Sequence, residues 1–260
     1  MIFMVLNTGN YIFIKVEIMA LPKLQSVTFE LEIPSTKEKI TYRPFTVKEE
    51  KILLIAQRSD ESKDQINAVK QIITNCIIIP ELYDVNKLAS FDIEYLFLKL
   101  RAKSVGETVE IEITPRNREG MPGQKIEINI DQIEPTFTES HTDTMDLGSG
   151  VRVKMQYPTF EVIAKFSDSD NEENALEIFG ECIKTIYQDE ESYEASDYSK
   201  AELDEFVESM SAQQAIILQR FFETLPKIAY NTKYEWTNPD DLNDTYEEDI
   251  EITGLISFLS

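Results

Sequence analysis

The sequence predicts an α+β fold: antiparallel β-hairpins packed on two helical groups, with no parallel nucleotide-binding sheet. Period-two alternation of apolar and polar residues marks paired strands at Val27–Ile33 with Lys39–Tyr42, and again around Val109–Ile113 and Ile126–Ile130. Apolar residues three and four apart mark helices between and after these hairpins. No Gly-x-Gly-x-x-Gly follows a strand, and no glycine precedes a Lys-Ser or Lys-Thr pair at P-loop spacing.

The opening eighteen residues, MIFMVLNTGNYIFIKVEI, are apolar but broken by Asn7-Thr8-Gly9-Asn10. They lack the basic start of an export signal and fall short of the ~20 apolar residues of a membrane span. Two readings stay open: a hairpin turning at that tetrapeptide, or residues upstream of a start at Met19-Ala20-Leu21-Pro22. The first clear hairpin, Val27–Ile33 with Lys39–Tyr42, turns at Pro34-Ser35-Thr36. Thr46 and Glu49 form a capping box ahead of Ile52–Ala56, so a helix starts there. Ile66, Val69, Ile73, Cys76 and Ile77 form the stripe of a second helix that ends before Pro80, which places Cys76 in the core.

A third helix is predicted from about Phe91 to Ser104. Ile93, Leu96, Phe97 and Leu100 point inward, while Tyr95 and Leu98 widen the stripe beyond one face, as in a helix sandwiched between two layers. Lys99, Arg101 and Lys103 lie near its C-terminal end before Gly106, where cations complement the helix dipole. In the next hairpin, Val109, Ile111, Ile113, Ile126, Ile128 and Ile130 share an apolar face opposite an acidic one, with the loop at Pro115–Gly123. Strands at Thr144–Leu147 and Val151–Tyr157 turn at Gly148-Ser149-Gly150.

Past Pro158 the pattern is helical. A first segment reaches Phe166, and a second stripe runs Leu176, Phe179, Ile183 and Ile186 with Cys182 beside it. A Ser199/Glu202 capping box precedes Leu203, Phe206, Val207 and Met210; a further helix carries Ile217, Leu218, Phe221, Phe222 and Leu225 up to Pro226. Ile228–Trp236 and Ile250–Leu259 read as extended and close as a hairpin. The acidic runs Asp189-Glu190-Glu191 and Asp240–Asp249 read as solvated loops, because like charges repel. The expected organisation is an N-terminal extension at 1–18, an α+β lobe at 19–157 and an acidic, mainly helical lobe at 158–260 with the terminal strand pair, the two lobes packing together.

Composition narrows function. The 260 residues are 42% hydrophobic, enough for a core, and carry 25 basic against 48 acidic side chains, a net charge of −23. Residues 1–160 hold 19 basic and 23 acidic groups, whereas residues 161–260 hold 6 and 25. Such a balance disfavours nucleic acid and anionic membranes as partners. His141 is the single histidine, and Cys76 and Cys182 are far apart, so a zinc site is not expected. His141 lies in a polar stretch without a nucleophile elbow and reads as a loop residue. Asp168–Glu173 resembles a calcium loop only superficially, since Glu173 stands where glycine is needed and Phe179 where the bidentate glutamate is needed. No catalytic, cofactor-binding or metal-binding residue is therefore assigned, and the chain reads as a non-enzymatic binding or assembly protein. An acidic hydrolase using a carboxylate pair is the alternative.

Pro44–Leu54, Ile72–Cys76 and above all Phe91–Glu107 (FDIEYLFLKLRAKSVGE) resemble the baseplate hub proteins of T-even-like, contractile-tailed phages. Met19–Leu24 and Ile252–Leu259 also look like that family, and the strong part of the resemblance spans roughly residues 42–110. The resemblance implies a hub subunit or assembly chaperone acting in host cytoplasm and at the virion tail baseplate. It implies partners among other hub and tail assembly proteins, and no cofactor. Some relatives carry cysteine pairs in a hairpin loop; Thr114–Gly123 has none, so no metal role is carried over. The expected contact residues are Tyr95, Arg101 and Lys103, with Phe258 and Leu259 as an apolar contact. If Arg101 and Lys103 face a partner, replacing them with Ala weakens binding and spares thermal stability.

Overall fold

The computed structural model describes residues 2–7, 10–15, 24–59, 61–79, 83–116, 123–167, 172–238 and 241–258. Its first element is a hairpin of β1 (Ile2–Asn7) and β2 (Asn10–Lys15), one of the two readings open for this stretch. Met19 and Leu259 lie outside the described residues, as does most of the acidic stretch Asp168–Glu173.

β3 (Phe29–Glu32) and β4 (Lys39–Tyr42) pair antiparallel, with Phe29 opposite Tyr42. Next come α1 (Val47–Ala56), α2 (Ser62–Cys76) and α3 (Ser90–Ser104). The Thr46/Glu49 box is formed: Glu49 Oε2 accepts from the Thr46 amide at 2.9 Å and Thr46 Oγ1 accepts from the Lys48 amide at 3.4 Å. The next hairpin joins β5 (Thr108–Ile113) to β6 (Gln124–Asn129), and β7 (Pro135–Thr136) follows, a short strand without a sequence signal of its own.

β8 (Thr144–Gly148), β9 (Val151–Met155), β10 (Ile183–Gln188) and β11 (Glu191–Glu194) form a sheet in the order β11-β10-β9-β8. The helices α4 (Phe160–Ser167), α5 (Glu172–Cys182), α6 (Lys200–Glu208) and α7 (Ala212–Glu223) complete this part. Both α6 and α7 start at capping boxes, Ser199/Glu202 and Ser211/Gln214. The chain closes with β12 (Lys227–Asn238) against β13 (Asp241–Thr253) and a 3₁₀ turn at Leu255–Phe258.

Three expectations are corrected. The helix carrying Cys182 stops there, and Ile183 and Ile186 lie on β10, where Ile186 pairs with Val153 of β9. β-branched residues and a ready partner strand win over helical spacing. The acidic stretch after Asp240 is a strand from Asp241, not a loop. Its charges alternate with Tyr246, Ile250 and Ile252, which pack inward, while Lys233 meets Glu247 at 2.8 Å and Lys227 meets Glu251 at 2.6 Å. As the edge of the order β13-β12-β7, this charged strand resists pairing with another chain. Finally, only the start of Ile250–Leu259 is extended; Leu255–Phe258 coils back as the 3₁₀ turn.

Three apolar clusters organise the interior. The first joins α1, α2, the β3–β4 hairpin and one face of α3 through Leu53, Ile72, Ile93, Phe97 and Leu100. The second lies on the other face of α3, where Phe91, Tyr95, Leu98 and Ala102 meet β5, β6, β12, β13 and Phe258. With eleven of its fifteen residues buried, α3 is the sandwiched helix expected. A third cluster joins β8, β9 and β10 to α5, α6 and α7. Tyr157 packs on both the second and third clusters: its ring meets Phe91 edge-on at 5.0 Å and stacks on Phe221 at 5.9 Å.

Candidate interaction site

Tyr95, Lys99 and Lys103 recur every four residues and so line one stripe of α3. That stripe faces the turn between β6 and β7. Tyr95 donates to Glu134 Oε2 at 2.8 Å, and Lys99 donates to Glu134 Oε1 at 2.7 Å and to the Asp131 carbonyl oxygen. Lys103 bonds Asp131 Oδ2 at 2.8 Å and Glu107 Oε1 at 2.9 Å. The Lys99 ammonium also sits 4.9 Å from the Tyr95 ring centroid. Burial raises the Tyr95 phenol, with Glu134 adding to the shift. The hydrogen bonds to Asp131 and Glu107 hold the Lys103 ammonium above its ordinary range.

Arg101 points elsewhere, donating from Nη1 to the Phe258 carbonyl oxygen at 2.6 Å. Of the five expected contact residues, Arg101 and Phe258 are thus brought together. Tyr95 and Lys103 are tied into one ionic network through Asp131, Glu134 and Lys99. Tyr95 and Phe258 are buried at 7% and 1% exposure, and Leu259 is outside the described residues. The cations of α3 thus find acceptors within the chain, while Lys103, Glu107 and Glu134 keep part of their side chains at the surface.

Two further ties lack a simple sequence signal. Arg43 reaches the buried Glu49 at 3.3 Å and 3.2 Å and also donates to the Asn75 carbonyl at 3.0 Å, joining β4, α1 and the end of α2. Burial pushes the Glu49 carboxyl up, but the Arg43 guanidinium and the Thr46 donors outweigh it and hold it at about 2. Asp92, fully buried on α3, accepts from the Ser35 amide at 2.9 Å and from its hydroxyl, which fixes the β3–β4 turn; burial nonetheless raises its pKa. The capping role of Glu49 was legible; its link to Arg43 and Asn75 was not.

His141 is a loop residue, as expected. Its Nδ1 lies 2.9 Å from Thr224 Oγ1, and its ring stacks on Tyr157 at 5.6 Å. Burial lowers its pKa. Cys76 and Cys182 are both buried free thiols, so each packs as an apolar residue. An open cleft of about 520 Å³ runs beside α5 and β10, with Glu181, Lys184, Glu194 and Lys200 in its lining. Both signs of charge meet there, and Glu194 is engaged by the Thr185 hydroxyl at 3.1 Å. Among the described residues there is no group of three or more His, Cys, Asp or Glu that could hold a metal ion, and no helix long and apolar enough to cross a membrane.

The family model described as T4 bacteriophage base plate protein matches residues 26–260, which takes in every element from β3 to the terminal turn. The chain belongs to that family. This baseplate protein works among other phage baseplate proteins, at the tail baseplate. Comparisons with curated proteins and with solved structures find no match. The family match extends beyond the strongest part of the resemblance, residues 42–110, to both flanking regions.

Proposed function

We propose that this baseplate protein acts without catalysis in assembly of the baseplate hub, as a hub subunit or an assembly chaperone, through protein–protein contacts. The observation that carries the reading is where its buried and half-buried charges go. Arg43 with Glu49, Lys99 with Glu134, Lys103 with Asp131 and Asp92 with Ser35 each tie one element to another. Charge spent in this way builds a rigid body whose outer surfaces are the working parts, which suits assembly. The strong acidity keeps such a body soluble in host cytoplasm and turns it away from nucleic acid and anionic membranes. The hydrolase alternative would draw on the carboxylates beside the cleft, where the Thr185 hydroxyl already engages Glu194.

Interrupting the gene in the phage tests this reading. Infected cells should accumulate baseplate parts that fail to join into complete baseplates, and supplying the protein from a plasmid should restore them. Complete, infective tails in its absence would overturn the proposal.

A further inference from the structure

The outer face of α1 is built for contact. Its core side carries Glu49, Leu53 and Ala56, all buried. On the opposite side, Val47, Lys51, Leu54 and Ile55 fall on one stripe at spacings of four, three and one, and Arg58 continues it in the turn that follows. A helix on a protein surface ordinarily turns polar residues outward; here Val47, Leu54 and Ile55 are 79%, 52% and 62% exposed. Contiguous exposed side chains of this size on one helical face mark a place that another surface covers.

Charge indicates what covers it. Although the whole chain has a net charge of −23, among the described residues of α1 and the turn that follows it, 47–58, the exposed ionic ones are Lys48, Lys51 and Arg58 against Glu50. The neighbouring Glu49 is turned inward and neutralised by Arg43 at 3.2 Å. At physiological salt, charges beyond about 8 Å are largely screened, so these local cations govern the contact. We infer that the Val47–Arg58 stripe docks an acidic amphipathic helix of another baseplate protein: its apolar residues, at helical spacing, would cover Val47, Leu54 and Ile55, and flanking Asp or Glu would meet Lys51 and Arg58. A second copy of this chain fits poorly, because a symmetric antiparallel pairing of α1 with itself places Lys51 near Lys51. The inference deepens the proposed function and rests on it.

A photo-crosslinking amino acid in place of Leu54, in the full chain within infected cells, tests it. Irradiation should join that position to a segment of another baseplate protein whose sequence carries acidic residues beside an apolar helical stripe. The yield should fall at least about tenfold with Lys51→Glu and Arg58→Glu, because each reversal sets like charges against the acidic partner. Unchanged melting of these exposed-site variants would show that folding is intact. Crosslinks to a second copy, to a basic segment or to nothing would overturn the inference. Parallel capture with tagged protein separates the two levels. If Leu54→Glu with Ile55→Glu still recovers the same baseplate proteins, the surface is wrong and the assembly role stands. If the unaltered protein recovers none, the assembly role fails and this inference with it.

Discussion

Arg101 donates to the carbonyl oxygen of Phe258 at 2.6 Å across 157 residues of chain. The bond fixes the terminal 3₁₀ turn to the last turn of α3, and the Phe258 ring, 1% exposed, fills the second apolar cluster. The turn at Leu255–Phe258 is thereby a structural part of the core.

Arg101→Ala should accordingly lower stability by about 1.5–3 kcal/mol, the range for a hydrogen bond from a charged donor. Phe258→Ala should cost about 3–5 kcal/mol through the cavity it leaves. Urea unfolding of the two variants measures both. This reverses the expectation that the α3 cations can be removed without affecting melting; an unchanged midpoint for Arg101→Ala would restore it.

Acid should loosen the joint between β4, α1 and α2. The Glu49 carboxyl is held at about 2 against an ordinary 4.5, so its contribution is fully present above pH 4.5 and is lost as pH falls towards 2. Glu49→Gln should cost about 3 kcal/mol at neutral pH by leaving Arg43 without its charge partner. The gap between variant and wild type should then close between pH 4.5 and 2 in thermal melts.

Glu94 has the opposite sign. Burial alone raises its carboxyl from 4.5 to about 7, so the folded state prefers it protonated and loses stability as pH climbs from 4.5 through 7. Glu94→Gln should therefore stabilise the protein by about 3 kcal/mol above neutrality. Below pH 4.5 the two proteins should melt alike, and equal melting at pH 8 would refute the assignment.

Both cysteines should be inert in the native protein. Burial pushes the Cys76 thiol up to about 11 and the Cys182 thiol up to about 12, so neither forms appreciable thiolate near neutral pH. A maleimide or disulfide reagent at pH 8 should label neither until denaturant is added, and should then label two thiols per chain.

Much of this architecture is written in short-range pattern. The Thr46/Glu49 and Ser199/Glu202 boxes involve residues three apart, so α1 and α6 could be read directly. The double-sided stripe of α3 and the alternation of β5 and β6 are equally local. What escaped depends on distant partners. Ile183 and Ile186 satisfy a helical spacing, and only pairing with β9 makes them a strand. The acidic residues of β13 look mutually repulsive until Lys227 and Lys233 on β12 lie beside them. Tyr95 and Lys103 looked free for a partner because Glu134 and Asp131, which engage them, lie 39 and 28 residues further along the chain.

Mass spectrometry of purified phage particles, alongside capture of the tagged protein from infected lysate, tests the central claim most directly. An assembly role in the hub predicts co-recovery with hub proteins. Fixed copy number in particles would then identify a permanent subunit, and recovery from lysate alone a chaperone. Absence from particles together with no hub protein in the capture would contradict the account.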